Sequence, residues 1–249
     1  MLTINKKKII FFHNKKTAGT STEAALSILC DDSDYISFHS KEFEEEKKRI
    51  NLRQCQNNFT LIPEFSTSIY NIKYNFFLLL RKFFSVKSKH YKKLKFISPM
   101  IVLKERIYCH IDPILFKKKI NYKKFDGYLR LTTYREFSDQ FYSMYNHRMQ
   151  YSKFMTYQKF CEENLDIFFD EVVKFYSKDL CFLDYKNIKL SLKNLKKKLN
   201  VKDDLPKIYS LLKFRTNYKK FPKKIDRKMK MKLRFKDQII KKIVKKKII

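Results

Sequence analysis

The residues best placed to do chemistry lie between 10 and 21. "IFFHNKKTAGTS" sets a histidine, two lysines and three hydroxyl side chains around Gly19, one of only two glycines in 249 residues. An apolar run ends at Phe12, and a helix-forming run, "TSTEAALSILC", starts at Thr20. A strand that turns tightly into a helix aims successive backbone N–H groups at one point, and the positive end of the helix dipole reinforces them. Such a turn suits a phosphate or a sulfate. Lys16 adds a full charge beside that point, and Thr17, Thr20 and Ser21 add hydroxyl donors. Gly19 either admits the anion closely or supplies a positive φ. An ordinary β–α turn beside an exposed lysine has the same composition, so the residues alone leave both readings open. The pattern is not G-x-x-x-x-G-K-[ST], because Lys16 precedes Gly19 and no second glycine is near, and G-x-G-x-x-G is also absent.

The periodicity predicts the elements that must position these residues. Residues 8–13 read as a buried strand and 20–30 as a helix; 35–40 reads as a second strand and "KEFEEEKKRI" as a polar helix. "KERIYCHIDP" (104–113) predicts a strand ending near His110, then a helix opening at Pro113, a favoured first helical position. "GYLRLTTY" (127–134) is a strand, followed by helices over 136–149 and 156–177. "LCFLDY" (180–185) is a further strand, followed by the amphipathic helix 189–200 and the basic helix 226–247. Alternating strands and helices predict one α/β domain over 1–249, three-layered around a mainly parallel sheet, with a divergent helical insertion around 41–100.

Composition sets the outer bounds. Apolar residues make up 44% of the chain and aromatics 16%, which excludes a disordered polycation despite a net charge of +32. That charge calls for a polyanionic partner or substrate, although the abundance of Lys, Asn and Ile also fits a biased coding sequence. Five scattered cysteines with no C-x-x-C pair predict reduced thiols rather than a disulfide frame or a zinc site. The most apolar stretch, "YNFFLLLRKFFS", is too short to span a bilayer and carries Arg81 and Lys82. No signal peptide is evident at residues 1–13. A cytoplasmic protein is therefore expected.

"FFHNKKTAGTS" resembles the 5′-phosphosulfate loop of sulfotransferases that use 3′-phosphoadenosine 5′-phosphosulfate, which in the carbohydrate-type branch reads close to F-H-I-P-K-T-[AG]-G-T-S. His13, Lys16, Thr17, Ala18, Gly19, Thr20 and Ser21 match, whereas Asn14 and Lys15 stand where the family has an apolar residue and proline. A second segment, "YLRLTTYREFSDQFYSMYNH", is similar to the family's 3′-phosphate motif, R-[DN]-P-x-x-R-x-x-S-x-Y. It supplies Arg135, Ser143 and Tyr145, with Glu136, Phe137 and Gln140 replacing the usual acid or amide, proline and second arginine. "YCHIDPILF" resembles the histidine-bearing segment that precedes it, and weaker similarity reaches the last strand and helix.

The resemblance implies a P-loop-like sulfotransferase fold and a definite set of roles. Lys16, Thr17, Ala18, Gly19, Thr20 and Ser21 would hold the phosphosulfate, and Arg135 and Ser143 the 3′-phosphate. Lys16 would stabilise the departing phosphate oxygen, and His110 would serve as base, with His39 its rival and His13 supporting the loop. The acceptor would be a hydroxyl, with saccharide favoured by the branch, and no metal is required. Two other readings stand beside this one. A kinase with a degenerate phosphate loop would need a Mg²⁺ carboxylate, for which Asp184 is the candidate. A non-catalytic polyanion-binding protein would use basic–aromatic stretches such as "FRTNYKKFPKK" (214–224), though nucleic acid is not the expected partner. The basic C-terminal helix could also rest on an anionic membrane surface.

Overall fold

The computed structural model of the chain describes residues 1–37, 39, 41–55, 110–119, 125–151, 155–212, 220–245 and 247–249. The insertion beyond residue 55, the strand expected over 104–109 and most of the 214–224 stretch lie outside the described residues.

Two short apolar runs at the start of the chain pair with each other. β1 (Leu2–Ile4) and β2 (Ile9–Phe12) form an antiparallel hairpin across a polar turn, in which Lys8 N–H donates to Asn5 O at 3.1 Å and Lys8 has φ 51°. β3 (Tyr35–Ile36) pairs antiparallel with β1, while β4 (Leu129–Tyr134) lies parallel to β2 and β5 (Cys181–Asp184) parallel to β4. The order is β3-β1-β2-β4-β5. The sheet is therefore mixed, not mainly parallel as the strand–helix alternation predicts. The cause is β1, which at three residues is too short to show a periodicity and reverses the chain before the first helix.

Eight helices are present among the described residues. α1 (Gly19–Leu26) follows β2, and α2 (Lys41–Arg49) and α3 (Pro113–Lys119) follow β3 in sequence. α4 (Phe137–Met149) and α5 (Tyr157–Val173) link β4 to β5. α6 (Ile188–Leu199), α7 (Leu205–Leu211) and α8 (Arg227–Val244) complete the set. Four of them start at a side-chain cap: Asp112, Thr156, Asp204 and Asp226 each accept a backbone N–H three residues on. Asn200, at φ 47°, ends α6 in the left-handed conformation that asparagine tolerates.

Strand side chains alternate between faces, and β2 shows it. Ile10 and Phe12 join a cluster with α4, α5 and α8, while Ile9 and Phe11 join a second cluster with α1, α6 and α7. The first cluster is largely aromatic, with Phe141 against Phe160 at 5.1 Å between ring centres and Tyr145 against Tyr157 at 4.9 Å. The outer edge of β5 is covered by the chain end, through Phe182 N–H to Lys247 O and Ile249 N–H to Phe182 O, both at 2.9 Å. Cys30, Cys55, Cys161 and Cys181 are free thiols. Among the described residues no helix is long and apolar enough to cross a membrane.

Phe141 is fully buried among four other aromatic rings, so Phe141→Ala is expected to cost about 3–5 kcal/mol. Phe235→Ala, on the exposed face of α8, should stay within about 0.5 kcal/mol of wild type. Urea denaturation monitored by circular dichroism measures both, and equal losses would contradict this placement of the core.

Candidate functional site

β2 and β4 are parallel neighbours, so their C-terminal ends deliver two turns to the same edge of the sheet. Residues 13–18 leave β2, and residues 135–136 leave β4. The two turns are joined directly. Arg135 Nη1 donates to Lys16 O at 3.1 Å, and the Arg135 guanidinium lies 4.3 Å from the centre of the Tyr185 ring, which follows β5. The sequence-predicted Lys16 and Arg135 thus belong to one site.

The loop owes its shape to its own backbone. Lys16 (φ 56°) and Ala18 (φ 59°) are left-handed, with Thr17 between them outside that region. An alternation of this kind turns consecutive N–H groups into one concavity. α1 then begins, and Thr22 N–H is bonded to Ala18 O. Helix geometry leaves the N–H groups of Gly19, Thr20 and Ser21 without an intrahelical acceptor.

Gly19 has a role that the sequence does not disclose. A positive φ does not require it, because the left-handed positions are Lys16 and Ala18. A Cβ on Gly19 would lie 2.2 Å from His13 Cδ2 and 2.7 Å from His13 Nε2. The glycine makes room for the imidazole.

The side chains divide into those that build the loop and those that face outward. Thr17 is buried, donating from Oγ1 to Asn14 O at 3.0 Å and sharing a short hydrogen bond with Thr133 Oγ1, so its hydroxyl belongs to the scaffold. Thr20 and Ser21 are half-buried, and Thr20 Oγ1 lies 3.3 Å from His13 Nε2. Lys16 is half-buried; burial, and then the charge of Arg135, bring its pKa down to about 8. Ser143 is half-buried on α4, at helical spacing from Gln140 and His147. Both neighbours face the loop: Gln140 bonds to it, and His147 is lowered in pKa first by burial and then by the charge of Lys16. Tyr145 is instead a core residue whose hydroxyl donates to Met155 O at 2.9 Å.

The departures from the sulfotransferase pattern meet one another. Gln140, in place of an arginine, donates from Nε2 to Asn14 Oδ1 at 3.1 Å and to Lys15 O at 2.5 Å. Its Oε1 accepts from Tyr176 OH at 3.3 Å. Glu136 does not compete for Arg135. Its carboxylate pairs with Lys241 at 2.7 Å and Lys186 at 2.9 Å, whose hydrogen bonds hold it below the usual carboxylate range. Asp184 accepts from Lys186 N–H at 3.0 Å and Asn187 Nδ2 at 2.8 Å, which ties it into the turn before α6.

Three histidines gather at the start of the loop. The His13 ring lies 4.6 Å from that of His39 and 4.5 Å from that of His110. His110 Nδ1 is 3.0 Å from His13 O. A carbonyl only accepts, so Nδ1 carries a hydrogen, and in the neutral ring Nε2 is the nitrogen with the lone pair. His13 Nδ1 and His39 Nε2 lie 3.2 Å and 3.0 Å from the buried Glu23 Oε2. Burial, then the nearby His110, hold His13 well below its ordinary pKa and keep it neutral. Burial pushes the Glu23 carboxyl up, but the Met1 ammonium, His39 and His13 together outweigh it and hold it well below the carboxylate range. Glu23, Gln140, His147, Tyr176 and Tyr185 are the site residues that the sequence reading misses, because each acts through a partner distant in the chain.

No protein-family model matches the chain, and neither a curated protein nor a solved structure is measurably similar to it.

Because Gly19 faces the His13 ring, Gly19→Ala is expected to destabilise the protein by about 1–3 kcal/mol, the usual cost of overpacking. Chemical denaturation measures the loss. A variant as stable as wild type would remove His13 from this position.

Proposed function

We propose that the chain is a sulfotransferase that moves a sulfuryl group from 3′-phosphoadenosine 5′-phosphosulfate to an acceptor hydroxyl, with a saccharide the favoured acceptor and the cytoplasm the expected location. The observation that carries this reading is the contact of Arg135 with the Lys16 backbone, which makes the two anion-binding turns one site. A donor with phosphate at both ends of its ribose needs cationic groups from two turns gathered at one site, and an ordinary β–α turn has no need of a second one. The residues fit the donor in kind. The loop offers outward N–H groups and a half-buried lysine, and Arg135 has a buried Nε with no hydrogen-bond partner among the described residues. Such an atom costs about 1–3 kcal/mol until an acceptor reaches it.

In this mechanism the loop amides and Lys16 hold the 5′-phosphosulfate, and Arg135 with Ser143 holds the 3′-phosphate. His110 Nε2 takes the proton from the acceptor hydroxyl as its oxygen bonds to sulfur. The bond from sulfur to the phosphate oxygen breaks on the opposite side, and Lys16 balances the charge left on that oxygen. Adenosine 3′,5′-bisphosphate departs. Catalysis of this kind rests on positioning and fixed charge.

Adenosine 3′,5′-bisphosphate at a hundredfold excess over Kd is expected to raise the melting temperature by about 5–10 °C, whereas ADP at the same concentration should not. An equal response to both ligands, or none to either, overturns the proposal, and a requirement for Mg²⁺ would favour the kinase reading.

The charge of Lys16 gives a second test. Free Lys16 loses its proton near pH 8, while a bound anion favours the charged form. Binding therefore takes up a proton above that pH, and bisphosphate affinity should fall as pH rises through about 8. Folding has the opposite sign. The unfolded lysine holds its proton to about pH 10.4, so wild type should gain stability relative to Lys16→Met between about pH 8 and pH 10.4. Calorimetry across this range measures the first effect and denaturation the second. A pH-independent affinity would exclude Lys16 from the anion site.

A further inference from the structure

Glu23 Oε2 is crowded in a way that hydrogen bonding alone does not explain. Three nitrogens surround this one oxygen: the Met1 amino nitrogen at 3.0 Å, His13 Nδ1 at 3.2 Å and His39 Nε2 at 3.0 Å. A carboxylate oxygen has two lone pairs, so three in-line donors cannot share it equally. The same spacings suit atoms arranged around a common centre. Ligands bonded at 2.0–2.1 Å in a tetrahedron lie about 3.3 Å apart. The donor atoms of His13, Glu23 and His39 all fall within 4.8 Å of one another.

We propose that His13 Nδ1, Glu23 Oε2 and His39 Nε2 form a site for a zinc-class divalent transition metal, set behind the loop that follows β2. The donor set is two imidazoles and a carboxylate, which selects such ions over magnesium or calcium. The site is dry, with His13 and Glu23 buried and His39 half-buried. It is also supported from outside, as metal ligands usually are. Ser37 Oγ donates to Glu23 Oε1 at 2.9 Å, and Thr20 Oγ1 lies 3.3 Å from His13 Nε2.

Binding has a defined proton balance. His13 Nδ1 and His39 Nε2 must each give a lone pair to the ion, so the His13 hydrogen moves to Nε2 and is donated to Thr20 Oγ1, and the His39 hydrogen is carried on Nδ1. The ion displaces the Met1 ammonium, which supplies positive charge beside Glu23 in the metal-free protein, from Oε2. The loop is then fixed from behind: His13 is held at the Gly19 backbone, and the Thr20 hydroxyl hydrogen is turned away from His13. The spacing of these ligands along the chain, 13, 23 and 39, resembles no short metal motif, and only the fold brings them together.

The test uses the full chain, stripped of metal by chelator and then titrated with Co²⁺ without nucleotide. Saturable binding of one ion per chain is expected, with visible absorption of a four-coordinate nitrogen–oxygen site that Zn²⁺ abolishes by displacement. His39→Ala alters the least buried ligand and should weaken Co²⁺ binding by more than about 100-fold, beyond what an outer-shell change costs, while the protein stays folded by circular dichroism. His39→Gln, which keeps the volume, should behave alike. Absence of saturable binding to the folded wild-type chain, an unchanged affinity in both variants, or preference for Mg²⁺ over Zn²⁺ overturns the proposal. The result is independent of whether the loop in front takes a nucleotide.

Discussion

A charged hydrogen bond ties the two turns of the site together: Arg135 Nη1 donates to the carbonyl of Lys16. Two left-handed residues in the loop, Lys16 and Ala18, cost about 1–2 kcal/mol each. A hydrogen bond from a charged donor contributes about 1.5–3 kcal/mol and a neutral one about 0.5–1.5 kcal/mol. Arg135 to Lys16, Gln140 to Lys15 and Thr17 to Asn14 are therefore together sufficient to hold a backbone that its own residues disfavour. The first two depend on the loop lying against β4 and α4. The parallel pairing of β2 with β4 is what places it there.

The second constraint is electrostatic and lies behind the loop. Isolated burial of a carboxylate is costly, and groups usually neutralise rather than bear it. Glu23 stays ionised because a cation and two imidazoles converge on it. His13 connects this cluster to the loop in three directions: its ring packs on Gly19, its Nε2 faces Thr20, and its carbonyl accepts from His110. A change at Glu23 should therefore be felt at the loop, although Glu23 lies on the inner side of α1.

Much of this was legible in the sequence, and the exceptions have physical causes. Helices with a sustained apolar period, α4, α5, α6 and α8, lie within a few residues of their expected spans. The sheet was misread because a three-residue strand carries no period, and its partner across the Asn5–Lys8 turn looked like the first strand of the domain. Lys16 and Arg135 each sit beside an element boundary with a pattern around it, which singles them out in the sequence, and they lie in contact in the fold. Gln140 is not singled out, since its value depends on Asn14 and Lys15, more than a hundred residues earlier. Asn14, Lys15 and Gln140 are three separate departures from the pattern their segments resemble; in space they meet in one contact. Glycine 19 shows the converse, a position legible as important whose reason lay in a side chain six residues away.

The same comparison separates the charge of the site from the charge of the chain. Most of the +32 lies outside this cluster, on exposed helix faces such as that of α8, where water screens it. At the site only two cations matter, and they are close enough for one to lower the pKa of the other. Like charges held together in a half-buried turn destabilise one another until an anion lies between them. An anion bound there would relieve that cost, so two adjacent cations favour an anion more strongly than the same cations dispersed over the surface. For that reason the placement of Lys16 beside Arg135 says more about the chemistry of this chain than its total charge does.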